Sequence, residues 1–374
     1  MRIFYLAIFI ILLFGTVAFA QAQDKPLTQT EYVQLLYDLQ QHPNKKDEII
    51  ETIRKRGLGF VLTDGLRELT LSKSRSDETL KRTVEEANRR RENPTAFQLP
   101  PEKESAEALA KSREATLAAV DEMPDFLVKQ VILRSVGYAG TNKFTPTDRL
   151  LIAVGYRASG EEEYRVLSLN GIPQSASENK HSYEDMGGSS STGEFVTVLS
   201  TIFKPENKTR FEAVDTDVLR GRRAIVYSFE TGRENAKLLL KASGTVSGET
   251  VAGIKGRIWI DRDNFRVLRV QSQATEIPDS FVIRASSQNI DYDWVTINNQ
   301  KYLLPSLAEF RITGREGKEL YENRNEIRFR EYRKFDVDIK VLDDDEPVED
   351  TPPQITPQPT PPAAAPPAAP EKKP

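Results

Sequence analysis

Three pairs of carboxylates have the residue type and spacing to do chemistry: Asp215 with Asp217, Asp261 with Asp263, and Asp291 with Asp293. Positions i and i+2 of a strand face the same side, so each pair would be able to share a proton or hold a cation. No third ligand or base stands at useful spacing from any of them, and Asp261-Arg262-Asp263-Asn264 has the composition of a turn between two strands. The structural reading is preferred for all three. His42 and His181 are the only histidines and cysteine is absent, which removes disulfides, thiolate metal sites and cysteine nucleophiles and leaves almost no imidazole chemistry. A G-x-S-x-G elbow is missing, and the Gly/Ser-rich run 187–193 lacks the lysine of a phosphate-binding loop. The expectation is a protein that is not an enzyme and uses no cofactor or metal.

Charge sets a further bound. With 52 Lys+Arg against 56 Asp+Glu the formal net charge is −4, and no clustered basic surface stands out to release counterions from a nucleic acid. A basic group, Arg54, Lys55 and Arg56 with Arg89, Arg90 and Arg91, falls at two helix ends, where positive charge complements the helix dipole. That reading is preferred over contact with an anionic surface.

The two ends of the chain differ from its body. Residues 3–14 are apolar without interruption, Arg2 is the only charge among the first twenty, and Ala18-Phe19-Ala20 supplies small residues for cleavage, the pattern of an export signal over 1–20. A retained N-terminal anchor is the alternative, since the apolar stretch approaches the length of a membrane span. Residues 347–374 hold 11 of the 22 prolines and should form an extended, disordered tail, which serves either as a solvated terminus or as a ligand for an envelope protein partner. The acidic run 343–346 lacks the spaced ligands and turn glycine of a calcium loop and reads as solvated charge.

Between the ends, residues 28–93 read as a small module of short helices. Tyr32, Leu35, Leu36 and Leu39 share one face behind a threonine cap at Thr28 or Thr30. Asp47 begins a second helix with Ile49, Ile50 and Ile53, and Gly57 stops it. Thr63 caps a helix through Leu66 and Leu69, and a last helix with Leu80, Val84 and Ala87 ends at Asn93-Pro94. A linker over 94–104 precedes an Ala-rich helix over 105–120. Strand-like runs follow at 129–138, 149–157, 164–169, 224–229, 251–260, 266–271, 281–294, 301–312 and 319–329, an even spacing that predicts a large antiparallel sheet, curved or closed. Two interruptions stand in it: a polar loop over 173–193, and an amphipathic helix over 193–203 with Phe195, Val198, Leu199 and Ile202 on one face. The large aromatic residues of the late strands, Trp259 and Trp294 with Phe281, Tyr292, Tyr302 and Phe310, either line a ligand cavity or form ordinary sheet core. The inserted helix has the same two readings.

Gly256-Arg257-Ile258-Trp259-Ile260-Asp261, followed by Phe265-Arg266-Val267-Leu268-Arg269-Val270, resembles the G-x-I-W-I-D … V-L-R hairpin of periplasmic lipoprotein-carrier half-barrels of the Lol type. A narrower resemblance, to exported proteins of acidobacterial type, rests on Gly193-Glu194-Phe195, Leu219-Arg220-Gly221-Arg222-Arg223, Ile277-Pro278-Asp279-Ser280-Phe281, Asp291-Tyr292-Asp293 and Tyr302-Leu303-Leu304-Pro305. Together these cover about residues 105–334. What the carrier resemblance implies is a concave apolar face, lidded by helices, that accommodates acyl chains or apolar peptide segments. The carriers are small single domains, whereas this chain adds helices in front and a proline-rich tail behind.

The sequence therefore predicts an α+β protein: a curved antiparallel half-barrel over 105–341 with a preceding helix and an inserted plug helix, a small all-α module over 28–93, and a disordered tail over 342–374. The predicted function is binding of a lipid or lipoprotein acyl chain by Phe195, Leu199, Ile202, Trp259, Phe281 and Trp294 in an exported envelope protein. The alternative is a non-catalytic interaction scaffold with a filled barrel.

Overall fold

The computed structural model describes residues 25–174, 183, 195, 197–242 and 247–334. The export signal, most of the 173–193 loop including His181, the acidic run and the proline-rich tail lie outside the described residues. Among those described, seven helices and twelve strands make an α+β fold. The helices are α1 (Gln29–Gln41), α2 (Lys46–Arg56), α3 (Asp64–Ser74), α4 (Glu78–Glu92), α5 (Glu102–Asp121), α6 (Thr197–Phe203) and α7 (Arg233–Ala236). The strands are β1 (Phe126–Tyr138), β2 (Thr145–Tyr156), β3 (Glu162–Leu169), β4 (Ile172–Pro173), β5 (Arg210–Leu219), β6 (Arg222–Thr231), β7 (Leu238–Ala242), β8 (Gly248–Asp261), β9 (Val267–Thr275), β10 (Ile283–Ile297), β11 (Gln300–Glu316) and β12 (Glu319–Lys334).

Local chemistry sets the helix ends. Thr28 and Glu31 form a reciprocal capping box, Thr63 and Asp77 cap α3 and α4 with their side chains, and Gly57, at φ 67°, ends α2. Tyr32, Leu36, Ile49, Ile53, Leu80 and Val84 close a core among these four helices. The helix expected from residue 105 begins at Glu102, and a 3-10 turn, Pro94–Phe97, occupies part of the expected linker. No described helix is long and apolar enough to cross a membrane.

The strands run antiparallel in the order β4-β3-β2-β1-β12-β11-β10-β9-β8-β6-β5, with β7 added along β8, and the curved sheet does not close. Strand β12 thus lies between β1 and β11. Asn298 and Asn299, both at positive φ, turn β10 into β11 with Ile297 opposite Gln300, the geometry of a two-residue type I′ hairpin. Tyr227, Ile258, Val270, Ile290, Ala308, Ile327, Ile132 and Leu150 stand side by side across eight strands in one continuous row. All eight belong to the main core, which residues of α5 and α6 join from one face of the sheet. Burying a large aliphatic side chain contributes about 1.5–3 kcal/mol, so this row is the main apolar adhesive of the sheet.

Three strands lie outside the sequence expectation: β4, β5 and β7. Strand β4 has two residues and β7 five, too few for a periodic signal, whereas β5 breaks its apolar alternation with Asp215 and Asp217, both buried. Of the inserted helix, Thr197–Phe203 forms as a regular helix.

Gly256, the first residue of the hairpin motif, sits where β8 and β9 approach each other so closely that a Cβ would stand 2.0 Å from the carbonyl oxygen of Gln271. Its φ is ordinary for a strand, so the requirement is for space. Gly256→Ala should lower the unfolding free energy by about 1–3 kcal/mol, the range for forced overpacking, measured as a shift in the urea midpoint.

Candidate functional site

Strand alternation sends the residues between the inward ones to the opposite face of the sheet. There β5 presents Asp215 and Asp217, β8 presents Arg257 and Trp259, β9 presents Arg269 and Gln271, and β10 presents Asn289 and Asp291. The register joins them into two adjacent rows, Val226–Trp259–Arg269–Asp291 and Arg257–Gln271–Asn289. Helix α4 lays Arg82, Glu86, Arg89 and Arg90 on this patch at i, i+4, i+7 and i+8, and α2 adds Glu51 and Arg54.

Most of the contacts are ionic. Arg89 donates to Asp217 at 2.7 Å, and Arg90 pairs with Asp215. The indole nitrogen of Trp259 donates to the second oxygen of Asp217 at 3.1 Å. Asp291 accepts from Arg269 at 2.6 Å and lies 3.7 Å from Arg82 and 3.6 Å from Arg220. Arg257 reaches Glu51 at 3.6 Å, and Arg54 donates to Gln271 at 3.4 Å. A second tie stands at the other end of the helices: the buried Asp77 binds Lys46 at 3.0 Å and lies 3.9 Å from Arg311 of β11, while Asn142 donates to the carbonyls of Ser74 and Arg75.

Glu86, buried among these groups, is pushed up to about 7 by desolvation and by the neighbouring carboxylate of Asp217. Burial also raises Asp215, against the pull of Arg90. The basic cluster expected as helix-end charge proves different in part: Arg54, Arg89 and Arg90 reach across to the sheet, and Arg56 binds Glu31 and the carbonyl of Lys25. A signal for this was present in α4, whose charged residues form a stripe at helical spacing beside the apolar stripe of Leu80, Val84 and Ala87.

The carboxylate pairs separate. Asp215 and Asp217 are both buried and both held by arginine, Asp291 is buried while Asp293 is exposed, and Asp261 is buried while Asp263 is exposed. Asp261 accepts from the backbone nitrogens of Asp263 and Asn264 at 2.8 and 3.1 Å and from Arg222, which is turn chemistry. Among the described residues no three His, Asp or Glu side chains converge as a metal site requires.

On the face covered by α5 and α6 Phe195 is the hub of an aromatic cluster, with ring centroids 5.3 Å from Phe126, 5.6 Å from Phe329, 6.1 Å from Tyr156 and 6.5 Å from Tyr332. Leu199 and Ile202 of α6 join the same core, and the Tyr227 hydroxyl donates to the Ser105 carbonyl, pinning α5 over the sheet. Of the six residues expected to line one cavity, the structure brings only these three together. Trp259 lies on the other face, packed against Leu219, Ala224, Val226 and Leu268, because Ile258 and Ile260 on either side of it point inward. Phe281 packs with Leu240, Ala252 and Ile283 in a separate cluster, and Trp294 is 40% exposed. Two small cavities lie between the N-terminal helices and the sheet. One, of about 40 Å³, is lined by Lys46, Lys73, Arg75, Arg311 and Glu322 among others. The other, of about 10 Å³, is lined by Arg54, Arg82, Glu86, Trp259, Arg269 and Asn289 among others. These spaces suit a few water molecules and a single one, respectively.

No protein-family model and no curated protein matches the chain. Among solved structures it is similar to a DUF1329 family protein from Desulfovibrio piger, at 11% identity over 61% of this chain and 93% of that one, with a TM-score of 0.27. It is also similar to a chain of the Pseudomonas aeruginosa MucA/MucB complex, at 10% identity over 59% and 94% with a TM-score of 0.18, and to MucB in complex with MucA(peri), at 10% over 58% and 93% with a TM-score of 0.16.

Because the native pKa of Glu86 lies above its unfolded value of 4.5, the folded state binds more protons between the two, and stability falls as pH rises through about 5 to 7. The loss attributable to Glu86 is at most about 3 kcal/mol. Glu86→Gln should flatten this slope, read from urea unfolding at a series of pH values.

Proposed function

We propose that the protein is an exported, non-catalytic binding protein of the cell envelope whose curved sheet is a filled scaffold and whose ligand is a polypeptide partner. One observation carries this reading: the face of the sheet beneath α5 and α6 is occupied by the protein's own Phe195-centred aromatic cluster, and the two small cavities beside the N-terminal helices lie elsewhere and have room only for water-sized bodies. Export is supported by the apolar first twenty residues. A non-catalytic role is supported by the outer-face carboxylates Asp215, Asp217 and Asp291, each of which is held by a guanidinium. An open sheet with β5 at one end of its strand order and β3 with the two-residue β4 at the other offers backbone donors and acceptors to an extended segment.

A second reading, an acyl chain admitted beneath α6, is favoured by Gln130. This residue is fully buried on β1, between Val128 and Ile132 of the inner face, and neither atom of its amide has a partner. The polar group of an entering ligand would satisfy it.

Native mass spectrometry of the purified protein, followed by solvent extraction, separates the two. The expected result is a single mass with no stoichiometric lipid. A co-purifying lipid that is lost in a folded Leu199→Asp variant would overturn the scaffold reading in favour of the second.

A further inference from the structure

The outer face of the sheet has two halves. On one, the sheet supplies the carboxylates Asp215, Asp217 and Asp291, and α4 supplies arginines that meet them. The register carries this surface onward without a break: the row through Arg269 and Asp291 continues as Leu307, Arg328, Val131, Leu151 and Ser168 across β11, β12, β1, β2 and β3. The rows on either side of it are Arg330–Lys129–Ala153–Arg165 and Glu326–Leu133–Arg149. In this second half the sheet itself supplies the arginines. The side chains of Arg149, Arg165, Arg328 and Arg330 enter no ion pair among the described residues; Arg328 is exposed and the other three are half-buried. The neighbouring carboxylates are engaged elsewhere, Glu326 by Arg324 and Glu331 by Lys129 and Arg333. Glu163, two residues from Arg165 on the same face, offsets at most one of the four. Leu133 and Leu307, 41% and 47% exposed, stand among the guanidiniums with Val131 and Leu151. At the usual strand spacing Leu307 and Leu151 are about 15 Å apart. The four arginines lie far apart in the chain and only the register gathers them, so no basic cluster stands out in the sequence.

We propose that this half of the outer face is the docking surface for the polypeptide partner, and that the partner presents carboxylates interleaved with aliphatic side chains. The proposal rests on the polypeptide reading given above and adds the place and the chemistry of recognition. Charge complementarity and continuity with the α4 interface select the occupant: where α4 brings arginines to the carboxylates of the sheet, the partner brings carboxylates to its arginines. A guanidinium fork pairs with a carboxylate through two parallel hydrogen bonds, and arginine is enriched in protein interfaces. The aliphatic side chains between the forks supply the apolar contact.

The test is photocross-linking of the full chain in cells of its own host, with p-benzoylphenylalanine in place of Leu133 on this face and, as the control, in place of Leu239 of β7, which is 47% exposed. Adducts are identified by mass spectrometry. The expected result is a polypeptide adduct at position 133 and none at 239, with the cross-linked segment rich in Asp and Glu. Arg165→Glu combined with Arg328→Glu should lower the yield at 133 about tenfold or more, because like charges then face each other. An undiminished yield in the folded double variant, or a cross-linked segment poor in carboxylates, would overturn the proposal. So would a lipid adduct at 133, which assigns the face to an anionic membrane. Polypeptide adducts at 239 alone overturn this surface and leave the polypeptide reading standing, whereas none at either position removes the support of both. If the double variant does not fold, salt decides: the yield at 133 in envelope extracts should fall as sodium chloride is raised, and a yield indifferent to salt overturns the proposal.

Discussion

A curved sheet that does not close has two faces and must cover both, and strand geometry assigns neighbouring residues to opposite ones. The rest of this structure depends on that division. On β8 the inward residues Ile258 and Ile260 enter an apolar core, and the outward residues Arg257 and Trp259 enter an ionic one. The inner face is sealed by hydrophobic contact with α5 and α6. The outer face is sealed by α4, whose arginines meet the carboxylates of β5 and β10.

The two seals differ in kind. The apolar one is non-directional and tolerant of small shifts, whereas the ionic one depends on buried charges being matched pair by pair. Several groups at the ionic seal are imperfectly served: the Nε atoms of Arg54, Arg89 and Arg90 are buried without acceptors, the side-chain carbonyl of Asn289 is buried without a donor, and the Thr216 hydroxyl is buried without a partner. Breaking such a network exposes groups that water solvates well.

The apolar half of this design was legible in the sequence. Alternation located most strands, the spacing of Phe195, Leu199 and Ile202 located the plug side chains, and Thr28, Gly57 and Thr63 marked helix ends. The ionic half was not, because a buried charge and a solvated one look alike until a partner is known. Asp215 and Asp217 concealed β5 as a strand, and Arg89 and Arg90 resembled ordinary helix-end charge, with their partners about 125 residues away in the chain. The residue type of Trp259 suits a cavity wall, but the isoleucines on either side of it place it on the other face.

Strand β12 stands between β1 and β11, which gives the topology a temporal meaning. During synthesis β1 to β4 and β5 to β11 emerge before the strand that joins them. Until Glu319–Lys334 is released from the ribosome, the facing edges of β1 and β11 both lack their partner, and the apolar row has a gap at Ile327. Open edges next to an unfinished core are what chaperones bind and what aggregates grow from. The nascent chain is therefore vulnerable until β12 emerges, and a chain ended before Glu319 lacks the strand that links the two halves of its sheet.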